Sequence, residues 1–315
     1  MKNFNIAILV LFALGLFTTN SYAQQDAQYT QYMYNPMSIN PAYAGSRDVL
    51  SLVGIYRSQW VGLDGAPRTL NFSGHTPVGE KVGLGLNITR DEIFIANETY
   101  INAAFSYTVD VSSGGKLAFG IQGGAHLLDV DSRRANTGAF QNENQDPFAN
   151  IFIDNKFSPQ IGVGTYYYTD KFYMGLSVPN FIETEHFDDS ENSNSSATAK
   201  EKINIYGLIG YVFDLNEDVK FKPAGLVKVV EGAPLQLDLS ANFLIKEKVT
   251  LGAAYRWSAA LSGMVGFQLS DQLMIGFAYD RETTELQQYN DGSYEILLRY
   301  ELFNNKKRLL SPRFF

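Results

Sequence analysis

Three histidines, at 75, 126 and 186, are the residues best suited to chemistry. A zinc site built on them would need close spacing of the His-x-x-x-His kind, and none occurs. His75 and His126 fall on the polar faces of separate alternating segments, so they read as buried polar side chains. The acidic run Glu183, Glu185, Asp188, Asp189 and Glu191 offers the oxygen ligands calcium prefers. Its spacing matches no EF-hand loop, and its Ser- and Asn-rich setting reads as a solvated connection. No Gly-x-Ser-x-Gly, phosphate loop or metalloprotease motif is present, and nothing in the spacing joins a serine to a histidine. Without cysteine, thiolate zinc sites, iron–sulfur clusters and disulfides are excluded. A net charge of −8 argues against non-specific nucleic-acid binding. The chain therefore reads as a non-enzyme with no metal and no cofactor.

What the chain does show is a repeated structural element. In 117–127, Leu117, Phe119, Ile121, Ala125 and Leu127 share one face, and Ala118, Gly120, Gln122, Gly124 and His126 share the other. A period of two is that of a β-strand. About ten residues is the length a tilted strand needs to cross a bilayer. The same design returns at 49–60, 68–76, 82–89, 99–110, 116–129, 158–168, 172–178, 202–213, 219–230, 235–244, 249–257, 259–269, 273–280 and 294–302. That makes fourteen strands, an even number, as expected of a bacterial single-chain barrel. The 49–60 segment alternates least cleanly. The 22 Phe, 19 Tyr and 27 Gly among 315 residues suit a barrel wall with aromatic girdles. A mean hydropathy of −0.14 does not count against this, because alternating faces cancel in the average.

The connections have a sidedness. Tight ones (77–81, 111–115, 169–171, 214–218, 245–248, 270–272) follow even-numbered strands. Long ones (61–67, 92–98, 130–157, 179–201, 281–293) follow odd-numbered strands, although 231–234 and the step at Ser258 are short. Short periplasmic turns with long external loops are the outer-membrane pattern. It predicts both ends of the chain on the periplasmic side. A soluble β-sandwich would also alternate, but its water-facing side would be largely charged. Here the second face is mostly Gly, Ala, Ser, Thr and Asn, with few charges such as Asp238, Arg256 and Arg299, which suits a narrow lumen.

The flanks differ from the wall. Lys2, the apolar run 6–17 and Ser21-Tyr22-Ala23 form a signal peptide, with cleavage expected after Ala23. Residues 24–47 carry Asn35-Pro36 and Asn40-Pro41, steps that favour turns over ladder strands. They read as an irregular segment able to fold into the lumen as a plug, ahead of a barrel at 48–302. The basic tail 303–315, with Lys306, Lys307 and Arg308, reads as periplasmic. It suits either a docking peptide or a plug beneath the barrel.

Gln31-Tyr32-Met33-Tyr34-Asn35-Pro36 and Asn40-Pro41-Ala42-Tyr43-Ala44-Gly45 resemble the opening signature of the PorP/SprF family of type IX secretion membrane proteins. Tyr56-Arg57-Ser58-Gln59-Trp60, Ala66-Pro67-Arg68-Thr69 with His75, and the ending Ser311-Pro312-Arg313-Phe314 resemble it too. The resemblance spans the whole chain beyond the leader, and implies an outer-membrane protein of the export system that delivers proteins to the cell surface. Implied partners are cargo with a C-terminal sorting domain, such as gliding adhesins, together with periplasmic ring components, a peptidoglycan-associated lipoprotein and outer-membrane lipid. The residues expected to bind partners or form the plug are Gln31, Tyr32, Asn35, Pro36, Asn40, Pro41, Tyr43, Gly45, Arg57, Trp60, Arg313 and Phe314. The alternative, from another class, is a barrel for hydrophobic or small solutes, like a fatty-acid transporter or porin.

Overall fold

A computed structural model describes residues 28–132, 152–182 and 202–302. The leader, most of the connections 130–157 and 179–201 with His186 and the acidic run, and the tail with Arg313 and Phe314 lie outside the described residues.

The described residues form one closed antiparallel sheet. Its strands are β1 (Leu50–Ser58), β2 (Arg68–Val78), β3 (Val82–Ile93), β4 (Ala96–Ser112), β5 (Gly115–Asp131), β6 (Phe152–Tyr168) and β7 (Phe172–Val178). The circuit continues through β8 (Asn204–Tyr211), its short continuation β9 (Phe213–Asp214), β10 (Val219–Val230), β11 (Gln236–Ile245), β12 (Val249–Arg256), β13 (Ala260–Gln268), β14 (Leu273–Glu282) and β15 (Ser293–Leu302). Both β8 and β9 pair with β10, so they are one strand broken at Val212, and the wall has fourteen staves. Sequential neighbours pair all round, and β1 pairs with β15 to close the barrel. Closure removes every sheet edge, the condition for a sheet to survive in hydrocarbon.

Alternation sorts the side chains. In β5, Phe119 and Ile121 point outward and exposed, while Gln122 and His126 are buried inside. The outer surface carries the large apolar residues expected of a lipid-facing belt, such as Leu70, Phe105, Ile209, Leu239 and Leu298. Near the tight turns, Tyr167, Phe172, Tyr211, Phe213, Phe221 and Phe243 run ring to ring along and across neighbouring staves, with centroids 4.6–6.4 Å apart. This forms one arc of an aromatic girdle at the tight-turn end of the wall.

One expectation is corrected. Residues 92–98 are not a loop: β3 and β4 pair up to Ile93 and Ala96, leaving only Phe94 and Ile95 at the tip. The reason is length. Strands β4, β5 and β6 have seventeen residues each, about 55 Å at the usual rise per residue, so the ladder continues well beyond the membrane. Strand β1 alternates poorly because both its faces are apolar or buried: Val53 and Ile55 face inward and meet an apolar partner there instead of water. That partner is the chain itself. The first described residue, Gln28, sits at the long-loop mouth against Gln236, the first residue of β11, whereas the last, Leu302, ends β15 at the tight-turn mouth.

Candidate functional site: the occupied lumen

Residues 28–47 run through the barrel from the long-loop mouth to the tight-turn mouth, where β1 begins. Their structure is three single 3₁₀ turns, Tyr32–Tyr34, Pro36–Ser38 and Pro41–Tyr43. Proline supplies the first helical residue of the last two, since its fixed φ suits that position and it has no N–H to leave unpaired. The two asparagines before them do different work. Asn40 caps its own turn, its Oδ1 accepting from the Ala42 N–H at 2.9 Å, and its Nδ2 donates to the Thr165 carbonyl at 3.0 Å. Asn35 makes no cap. Its amide donates to Asn71 at 2.9 Å and accepts from the Ser73 hydroxyl at 2.7 Å, tying the segment to β2.

The segment packs as a core. Tyr32, Met33, Tyr34, Met37, Ala42 and Tyr43 are buried in one cluster with Val53, Ile55, Tyr166, Tyr173 and Leu297 from the wall. Tyr43 meets His75 and Tyr166 edge-on at 5.2 and 5.3 Å. The Lys222 ammonium lies 4.9 Å from the centre of the Tyr34 ring. Wall glycines make the room. A Cβ on Gly120 would overlap Pro41 and Ala42, one on Gly83 would overlap Ala44, and one on Gly164 would overlap Asn40. Gly45 itself has φ +76°, a conformation that side chains disfavour, and it passes against Gly83.

Charge pins both ends to the last strand. At the upper end, Glu295 accepts from the Thr30 and Gln31 backbone N–H groups, each at 2.9 Å. The Arg57 guanidinium lies 2.7 Å from Asp280, 3.1 Å from Glu295 and 2.9 Å from the Thr30 hydroxyl, which also donates to Asp280. At the lower end Arg47 pairs with Glu301, and the Gly45 N–H donates to His75 Nδ1 at 3.1 Å. Charges this deeply buried are costly unless paired and hydrogen-bonded, and each of these carboxylates and guanidiniums has such partners.

Of the residues singled out from the sequence, Gln31, Tyr32, Asn35, Pro36, Asn40, Pro41, Tyr43, Gly45 and Arg57 come together inside the barrel. Trp60 stands apart at the long-loop mouth, donating from its indole to Glu282 at 3.0 Å. Sequence reading missed Asp280, Glu295 and Glu301. The available signal was their place on the inward face, where Ser293, Glu295, Leu297, Arg299 and Glu301 alternate with outward Tyr294, Ile296, Leu298 and Tyr300.

Among the described residues, a cavity opens at each mouth beside the segment. One of about 700 Å³ opens at the long-loop mouth, walled by Trp60, Pro67, Leu235 and Trp257 with Arg256 and Gln28 below. One of about 460 Å³ opens between the tight turns, lined by Gly45, Asp48, Glu80, Lys81, Asp110 and Lys116. Among the described residues no group of His, Asp and Glu is placed to hold a metal ion.

The family model for type IX secretion system membrane proteins PorP/SprF matches residues 21–300, which takes in the inner segment and nearly the whole wall. The chain belongs to the PorP/SprF family. A PorP/SprF chain is a membrane component of the type IX secretion system, and the closed barrel with its apolar belt fits the outer membrane. No match is found among curated proteins. Among solved structures, this PorP/SprF barrel is similar to Acinetobacter baumannii Omp33 (7% identity, 81% of this chain and 99% of that one, TM-score 0.45). It is also similar to the CymD monoaromatic hydrocarbon channel (12%, 88% and 94%, TM-score 0.49) and to a Pseudomonas aeruginosa FadL homologue (12%, 86% and 94%, TM-score 0.44). At these scores the likeness carries no argument, and the fold of the PorP/SprF barrel rests on its own ladder.

Proposed function

We propose that this chain serves type IX secretion as a non-enzymatic docking barrel. Its long-loop mouth receives cargo through the C-terminal sorting domain, gliding adhesins among them, and holds it at the cell surface. Its tight-turn mouth and the tail 303–315 face the periplasmic ring and the peptidoglycan-associated lipoprotein. The leader is removed after Ala23. The observation that carries this reading is the filled lumen. Residues 28–47 act as a plug, pinned at both ends and packed between, so the barrel offers partners a rigid rim in place of a path for solutes.

The test is purification of the tagged protein from native outer membranes in mild detergent, with mass spectrometry of what accompanies it. Recovery of a large surface protein, cross-linked through its C-terminal domain to the long loops, is expected. A partner-free barrel that conducts ions or takes up solutes in reconstituted bilayers would replace this reading with the transporter one.

A further inference from the structure

The inner segment, residues 28–47, has a direction through the barrel. Gln28 bonds to Gln236 beside the turn 231–235, and the same mouth holds Trp60, Pro67, Leu235, Trp257 and Glu282. Trp60, Pro67, Leu235 and Trp257 lie on connections opposite the tight turns, and Glu282 ends β14 at the same mouth. Two residues later, Thr30 is fixed to Asp280 and Glu295, near the long-loop ends of β14 and β15. At the other end, Arg47 reaches Glu301, next to the last residue of β15, and Gly45 and Asp48 line the cavity between the tight turns. The two glutamates are six residues apart on one strand, about 20 Å at the usual rise. The segment therefore spans much of the lumen with its amino-terminal end outermost. Short turns face the periplasm in such barrels.

We infer that the inner segment passes up through its own barrel with Gln28 outermost, at the cell surface, inside the vestibule walled by Trp60, Trp257 and Leu235. This rests on the outer-membrane placement and on the orientation given by the turns, and is independent of cargo docking. It orders assembly. The barrel is filled and its wall glycines are in contact with the segment, so residues 28–47 must be in place before β1 and β15 close. It also makes the vestibule a composite surface, in which a partner at the long loops meets Gln28 and the start of the inner segment.

The absence of cysteine from the natural sequence makes the test clean. Single-cysteine variants Gln25→Cys, Glu285→Cys and Asp271→Cys are exposed to a membrane-impermeant maleimide in intact cells, and again after the outer membrane is permeabilised. Glu285 is exposed in the long connection after β14, and Asp271 is exposed in the tight turn after β13. Folding of each is checked by heat-modifiable gel migration, with Asp26→Cys in reserve should Gln25→Cys not fold. The expected result is labelling of positions 25 and 285 in intact cells, and of 271 only after permeabilisation. Labelling of position 25 only after permeabilisation, together with 271, would overturn the inference while leaving the docking reading standing. Intact-cell labelling of 271 with loss of it at 285 would reverse the barrel and overturn both the orientation and the inference.

Discussion

Arg57 and Asp280 meet at 2.7 Å, although their strands, β1 and β14, are not neighbours in the wall. The strand between them is β15, and its Glu295 stands directly opposite Arg57 in the register and shares the guanidinium at 3.1 Å. The cluster therefore lies across the seam where the first strand meets the last. Thr30 joins it from inside. One arginine thus serves two purposes, fastening the seam and fixing the upper end of the inner segment.

Replacing Arg57 by alanine leaves Asp280 and Glu295 as two buried carboxylates without their cation. Loss of one partner of a buried pair costs roughly 3–5 kcal/mol. The Arg57→Ala barrel is expected to lose its heat-resistant gel form at a markedly lower temperature, and to conduct more than the parent in bilayers. An unchanged transition temperature would show that the cluster contributes little.

The wall glycines give a second test. Gly120→Ala places a methyl group where Pro41 and Ala42 run, and backbone cannot yield as a flexible side-chain tip can. Gly263→Ala on the outer face meets nothing within 4 Å. The first variant is expected to make residues 28–47 susceptible to added protease, and the second to behave as the parent. Equal resistance of the two would mean that the segment tolerates displacement from β5.

Ile121, 58% exposed near the middle of the β5 apolar stretch, tests the membrane itself. On a soluble protein, lysine at so open a position would be nearly neutral. On the lipid face at mid-depth it costs about 2–4 kcal/mol. Ile121→Lys is expected to lower the midpoint of urea-induced unfolding in lipid vesicles by an amount in that range, and a neutral result would argue against lipid contact there.

In the aromatic arc, Phe221 lies 6.2 Å from Phe213 and 4.8 Å from Phe243. Aromatic pairs add about 0.5–1.5 kcal/mol beyond their buried area. Phe221→Ala is expected to destabilise the folded barrel more than Leu302→Ala, an outward residue of β15 outside this arc, by the same unfolding assay. Equal losses would leave the arc with no role beyond apolar area.

Much of the barrel was legible in the chain because a strand's period of two is local. Phe119 and Ile121 outward with Gln122 and His126 inward can be read from their spacing, and so can the count of staves. The opening motifs around Asn35-Pro36 and Asn40-Pro41 likewise marked a segment that would not join the ladder. Tertiary structure decided what lies far apart in sequence. Thr30 finds Asp280 and Glu295, and Arg47 finds Glu301, across more than 240 residues, because closure brings β15 beside β1. The apolar inner face of β1 looked like poor patterning until the segment that covers it was in place. The direction of residues 28–47 belongs to the same class: a turn-rich stretch carries no vector of its own, and only its partners at each mouth supply one.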